Sequence, residues 1–168
     1  MFENSYKIRV SARAIILDKG RILLAEFGGG QYYNFVGGGI EKKETAKQAV
    51  IREVMEESGL TVTVGELVFS LEYEPVSCDY SYGGGHHISF FFRCYVNENI
   101  PPEIPSHPDI NPDDEFITST VKWIPLSELH KINLLPKIAD HIIKYAETGI
   151  FIPSFWAEDE ERQRYEDN

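Results

Sequence analysis

The stretch GGIEKKETAKQAVIREVMEESGL, Gly38 to Leu60, decides the fold. It reads as a glycine turn, then a capped helix, then three acids crowded on one helical face. Thr45 with Gln48 three residues later is a capping-box pattern, so the helix is expected to start near Thr45. Gly59 is placed to end it in a left-handed conformation. Ala46, Ala49, Val50 and Val54 recur at three- and four-residue spacing and form an apolar stripe. At about 100° per residue, Glu53, Glu56 and Glu57 fall within roughly 100° of one another. Glu53 and Glu57 continue the line of the apolar stripe and are expected to point inward.

Such a helix is costly if it is only structural. Like charges at three- and four-residue spacing repel by a few tenths of a kcal/mol per pair, roughly, when exposed. The acids also sit in the last turns, where the helix dipole favours cations. Burial raises the cost unless a partner is present. A hard divalent cation held by carboxylate oxygens removes all three objections. The plainer alternative is a solvated acidic face with Arg52 paired to Glu56, and it leaves the inward direction of Glu53 and Glu57 unexplained.

The stretch resembles the Nudix box, G-x5-E-x7-R-E-U-x-E-E-x-G-U, with U a bulky aliphatic residue. Gly38, Glu44, Arg52, Glu53, Val54, Glu56, Glu57, Gly59 and Leu60 fill every fixed position. Before the box, Tyr33-Asn34-Phe35-Val36-Gly37-Gly38 stands where the family often carries an aromatic residue and L-P-G-G. Val36 replaces the usual proline, and Lys43 stands where a glycine is common. Trp123-Ile124-Pro125-Leu126, followed by Glu128-Leu129, is similar to a frequent Nudix element.

The resemblance implies an α/β fold, a Nudix-type α/β/α sandwich with a mixed β-sheet. It implies a hydrolase that breaks the diphosphate of a nucleoside diphosphate linked to another moiety. The substrate would be of the ADP-ribose or nucleotide-sugar type, or a nucleoside triphosphate. Mg²⁺ or Mn²⁺ is the implied cofactor, carried by Glu53, Glu56 and Glu57 with the Gly38 carbonyl. Arg52 and Glu44 are implied as an ion pair holding the catalytic helix against its loop. Either Glu53 or Glu56 could serve as general base. Many members take a further carboxylate from a loop before the W-x-P-L strand, which makes Glu115 a candidate. Pro75 lies near where ADP-ribose-cleaving members often carry a proline; an ordinary proline at a strand end is the alternative. Nudix-like modules that bind a nucleotide without cleaving it usually lose box acids, and this chain keeps them all.

A chain of 168 residues with 42% hydrophobic and 12% aromatic content fits one domain with a buried core. Residues 1–149 are expected to form the Nudix domain and 150–168 an extension of it. The net charge of −11 opposes binding of nucleic-acid polymers, which needs a basic footprint. It permits small phosphorylated substrates, because metal ions bridge acid to phosphate. No apolar run reaches 18 residues, so no membrane span is expected. The N-terminal residues lack a signal-peptide pattern, which points to the cytoplasm. Cys78 and Cys94 match no metal or redox spacing and read as free thiols.

Ile8, Val10, Ala12, Ala14 and Ile16 alternate with Lys7, Arg9, Ser11 and Arg13, as in a strand with one buried face. Arg9 and Arg13 either face a phosphate or base or belong to a solvated face. Tyr33 and Phe35 join them as candidate substrate contacts. Asp18-Lys19-Gly20 reads as the turn of a hairpin into a strand from Arg21 to Glu26. Further strands are expected at Tyr33–Val36, Leu60–Tyr73, His86–Val96 and Thr120–Ile124. Prolines between Asn97 and Asp114 forbid regular structure. A second long helix is expected from Leu134 to Glu147, with Leu135, Ile138, Ile142 and Tyr145 on one stripe, ended by Gly149. His86 and His87 read as loop or surface residues, since adjacent strand residues point to opposite faces and cannot easily share a metal. Residues 150–156, mostly large and apolar, are expected to dock on the core or on a second subunit of a homodimer.

Overall fold

The alternating N-terminal run becomes β1, Ile8–Asp18. Lys19 and Gly20 both take positive φ, 44° and 76°, and reverse the chain into β2, Arg21–Phe27. Two residues of this kind match the right-handed twist of a hairpin. The computed structural model describes residues 7–78, 83–101, 103–104 and 118–157. Beyond the turn, β2 leaves β1 and pairs with β3, Tyr32–Phe35, and with β7, Thr118–Pro125. The glycine segment expected as a turn is a short strand instead. β4, Gly37–Gly39, lies antiparallel to β1 at Ser11–Arg13.

β5, Val62–Tyr73, and β6, His86–Val96, form an antiparallel pair, and β6 runs parallel to β1. The sheet is therefore mixed, with order β3-β2-β1-β6-β5-β8 among the described residues. β8, Phe155–Ala157, is parallel to β5 at its edge.

Alternation along β1 divides the core. Ala12, Ala14 and Ile16 face α1, Ala46–Ser58, and pack with Val36, Ala49, Val50, Val54 and Phe92. Ile15 faces the opposite way, toward Phe35, Phe69, Phe91 and α2, Ala139–Thr148. One helix on each side of the sheet makes the α/β/α sandwich.

α1 keeps the expected bounds. Thr45 and Gln48 form both halves of the capping box, and Gly59 caps the far end at φ 71°. α2 starts later than expected, at Ala139 instead of Leu134. Pro136 explains the difference: it lacks a donor and keeps the preceding residue out of helical conformation. Ile138, Ile142 and Tyr145 still reach the core, and Gly149 closes the helix at φ 71°. A 3-10 helix at Leu126–Lys131 was not anticipated. Phe151 stacks on Phe69 at 4.0 Å and is buried, so the segment after α2 docks on this chain's own core. Cys78 and Cys94 are free and buried. No described helix is long and apolar enough to cross a membrane.

Candidate active site

The site is built where β4, the loop after it and α1 meet. A Cβ on Gly37 would lie 2.3 Å from the Ala12 carbonyl oxygen, and Gly37 has φ 140°. Only glycine allows β4 so close to β1 in that conformation. A Cβ on Gly38 would lie 2.4 Å from Glu53 Oε1, so the Glu53 carboxylate rests directly on the Gly38 backbone. Lys43 then takes φ 71°, a left-handed conformation that a side chain resists. That turn brings Glu44 back under α1, where its Oε1 accepts from the Glu41 amide at 2.6 Å.

Arg52 ties these parts together. Its Nε and Nη2 donate to the two oxygens of Glu44 at 3.2 and 2.7 Å. Nη2 also donates to the Gly39 carbonyl at 3.0 Å. Nη1 lies between two acids, 2.8 Å from Glu53 Oε1 and 3.1 Å from Glu56 Oε2. A planar, delocalised guanidinium suits such a multidentate role. The Glu44 hydrogen bonds, followed by Glu53, hold the Arg52 pKa well above its ordinary value. The Glu44 carboxyl is held below its usual range in return, chiefly by Arg52. The Glu56 side chain is half exposed, while Glu53 is largely covered.

Glu57 is the anomaly of the cluster. Its Oε2 is buried and has no hydrogen-bond partner among the described residues. Burial, with Glu53 and Glu56 adding repulsion, pushes its carboxyl up to about 8, against the opposing pull of Arg13 and the Gly37 amide. Arg13 does not reach it as an ion pair. Arg13 Nη1 donates to the Phe35 and Gly37 carbonyls at 2.8 and 3.2 Å, bracketing the step from β3 to β4. Burial pulls the Arg13 guanidinium below its ordinary value, partly offset by Glu57.

The site therefore holds a cluster of carboxylates on a rigid helix, one with a buried, unpartnered oxygen, and an arginine lodged among them. Among the described residues no three metal-ligating side chains yet close on one point. Arg52 Nη1, between Glu53 and Glu56, supplies the positive charge there.

The family model for the NUDIX domain matches residues 7–146. This chain belongs to the Nudix family. A CTP pyrophosphohydrolase from Escherichia coli (strain K12) is 42% identical to this Nudix chain over 65 residues, 36% of the chain and 48% of that protein. The match spans about half the length of that relative. The solution structure of the E. coli ORF135 protein has a TM-score of 0.60 at 25% identity, covering 89% of this chain and 96% of that one. An ADP-ribose pyrophosphatase from Streptococcus suis 89-1591 has a TM-score of 0.60 at 18% identity over 89% and 98% of the two chains, a likeness of fold.

Gly38, Glu44, Arg52, Glu53, Glu56 and Glu57 of the Nudix box come together around one guanidinium and one buried carboxyl. Arg9 lies beside Gly39, next to this group. Glu115 lies outside the described residues. The Phe35 side chain is fully buried, edge-on to Phe91 at 5.1 Å. It belongs to the core and offers a ligand no surface, because β3 turns it inward. The Tyr33 hydroxyl donates to Glu26 Oε2 at 2.7 Å, which pushes the tyrosine up to about 12.

Sequence reading missed Glu26, which is buried and takes Lys122 Nζ at 3.0 and 2.8 Å. Burial alone would raise its pKa, but Lys122 and Tyr33 carry it below the ordinary value. The pairing of β2 with β7 creates that contact, and no local pattern announces it. The two histidines open β6 and point to opposite faces, as the strand reading expects; the surface role fails for His86. His86 is buried with Nε2 2.8 Å from Glu72, and His87 faces Tyr73 on the other side.

Proposed function

We propose that this chain is a metal-dependent Nudix pyrophosphohydrolase cleaving the diphosphate of a nucleoside diphosphate linked to another moiety. The substrate is of the ADP-ribose or nucleotide-sugar type, or a nucleoside triphosphate. The carrying observation is the buried, unpartnered Oε2 of Glu57 beside Glu53 and Glu56. A carboxyl in that position needs a proton or a cation. The acids fit a hard divalent ion, so Glu53, Glu56 and Glu57, with the Gly38 carbonyl, would hold Mg²⁺ or Mn²⁺. When bound, the ion neutralises charge on the diphosphate and lowers the pKa of the attacking water.

The chain's own residues do the rest. Arg52 keeps Glu44 and the Gly39 carbonyl, which fixes α1 to its loop, and releases Glu56 to the ligand set. Arg13 holds the β3–β4 step and so fixes Gly38. The attacking water loses its proton to Glu53, to Glu56 or to the further candidate of the sequence reading, Glu115. The same reading has the protein act in the cytoplasm as a homodimer, for which exposed Ile150, Ile152 and Phe155 offer apolar surface.

The test is incubation with Mg²⁺ and CTP, other triphosphates, ADP-ribose, nucleotide sugars and dinucleoside polyphosphates, with chromatography of the products. A nucleoside monophosphate should appear from at least one substrate. No turnover of any compound, in Mg²⁺ or Mn²⁺, would overturn the proposal.

A further inference from the structure

β1 and β6 lie parallel in a register that sets Arg9 beside His87, Ser11 beside Ser89 and Arg13 beside Phe91. Strand alternation sends these residues to the sheet face opposite α1. From Ile15 and Phe91 onward that face is core under α2. Its other end, nearer the glycine strand, is polar. Ser11 Oγ and Ser89 Oγ satisfy each other at 2.7 Å. Arg13 is committed to the Phe35 and Gly37 carbonyls. Arg9 and His87 remain, and neither has a hydrogen bond or ion pair to another described residue.

That pairing is unusual in this chain, which carries 27 acidic against 16 basic residues. An exposed arginine beside a second arginine raises the local positive potential; Glu57 and Glu53 act on the buried Arg13, while Arg9 makes no ion pair with a described acid. The Arg9 guanidinium sits over Gly39, with Nε and Nη2 each 3.7 Å from where a Cβ would be. Gly39 adjoins Gly38, on which Glu53 rests, so the cations border the acid cluster on its strand side. Burial, then Arg9 and Arg13, pull the His87 pKa below its ordinary value. A neutral imidazole keeps one N–H to donate and one nitrogen to accept. Arg9 supplies a planar fork of donors suited to phosphate oxygens.

We propose that Arg9 and His87 form an anion subsite that binds a phosphoryl group of the substrate lying outside the reach of Glu53, Glu56 and Glu57. This rests on the reading of the chain as a nucleoside-diphosphate hydrolase. The subsite holds the substrate's second charged group while the acid cluster handles the scissile one. Arg13 lends its field without touching the ligand.

The test is calorimetric titration of the full chain with inorganic pyrophosphate in EDTA, which separates this subsite from metal-bridged binding. Wild type should bind, and more weakly as salt rises. Arg9→Gln and His87→Gln should each weaken binding at least ~10-fold, with Arg9→Lys in between. Glu56→Gln should bind at least as well as wild type, because a repelling charge is removed. Arg9 is exposed and has no hydrogen bond or ion pair among the described residues, so Arg9→Gln should melt with wild type and report on binding alone. Absence of binding by wild type, or equal binding by Arg9→Gln and His87→Gln, overturns the proposal. Failure of every substrate to turn over, with this pattern intact, would sink the hydrolase reading and leave the anion site standing.

Discussion

At the scale of single residues, Arg52, Glu53, Glu56 and Glu57 are legible in the sequence because their spacing alone puts them on one side of the helix. What Arg13 does is not legible. Its partners are carbonyls of Phe35 and Gly37, and only the pairing of β1 with β4 brings them near. Arg13→Gln is therefore expected to lower kcat ~10-fold or more and to raise the Mg²⁺ needed for half-activity. Steady-state assays over a Mg²⁺ series check this; an effect on substrate KM alone would make Arg13 a ligand contact instead. Lys43 is legible as a departure from the usual glycine, and its φ of 71° gives the reason. Lys43→Gly should relieve strain and raise stability by up to about 1 kcal/mol, read from urea unfolding. A loss of stability would mean that the lysine side chain contributes more than its backbone costs.

Glu57 also gives a pH dependence. Its carboxyl is up at about 8 in the metal-free fold. A folded pKa above the unfolded one means that the native state binds the extra proton between the two values. Metal-free stability should then fall as pH rises from about 5 to 8 through this group. Stabilisation by Mg²⁺ should grow over the same range, since the ion replaces a proton that is leaving. Melting curves in EDTA and in Mg²⁺ at several pH values check both slopes. Glu57→Gln should flatten both.

At the scale of elements, α1 was readable to the residue because its caps are local chemistry: Thr45, Gln48 and Gly59 lie within or beside it. Thr45→Ala removes one half of the capping box and should cost about 1 kcal/mol, with activity lost only in proportion to unfolding. α2 was placed too early, because the stripe through Leu135 and Ile138 outweighed Pro136. The strands were found by alternation, but their partners were not. Nothing in residues 37–39 says that a glycine run will pair with β1 as a strand; the reason is the space that β1 leaves only for glycine. Glu26, Lys122 and Tyr33 show the same limit, since strands β2, β3 and β7 must assemble before those side chains meet.

At the scale of the whole molecule, the sandwich was legible from one amphipathic helix, a set of alternating strands and a second helix. The closing segment was legible only as apolar chain in need of cover. Phe151 found that cover against Phe69 and Tyr145, and β8 joined β5. Truncation after Gly149 removes a buried aromatic side chain worth about 1.5–3 kcal/mol. Melting should fall by roughly 5 °C in a chain of this size. An unchanged melting temperature would show that the segment adds nothing to the core.

Glu53, Glu56 and Glu57 are expected to serve a divalent ion that the reaction needs. This expectation is tested most directly by titrating Mg²⁺ into wild type and Glu57→Gln, with turnover of the best substrate as readout. Turnover in wild type should rise from near zero with Mg²⁺, and Glu57→Gln should remain at least ~10²-fold lower at saturation while still folded. Full turnover by Glu57→Gln, or wild-type turnover that ignores Mg²⁺ and survives EDTA, would contradict it.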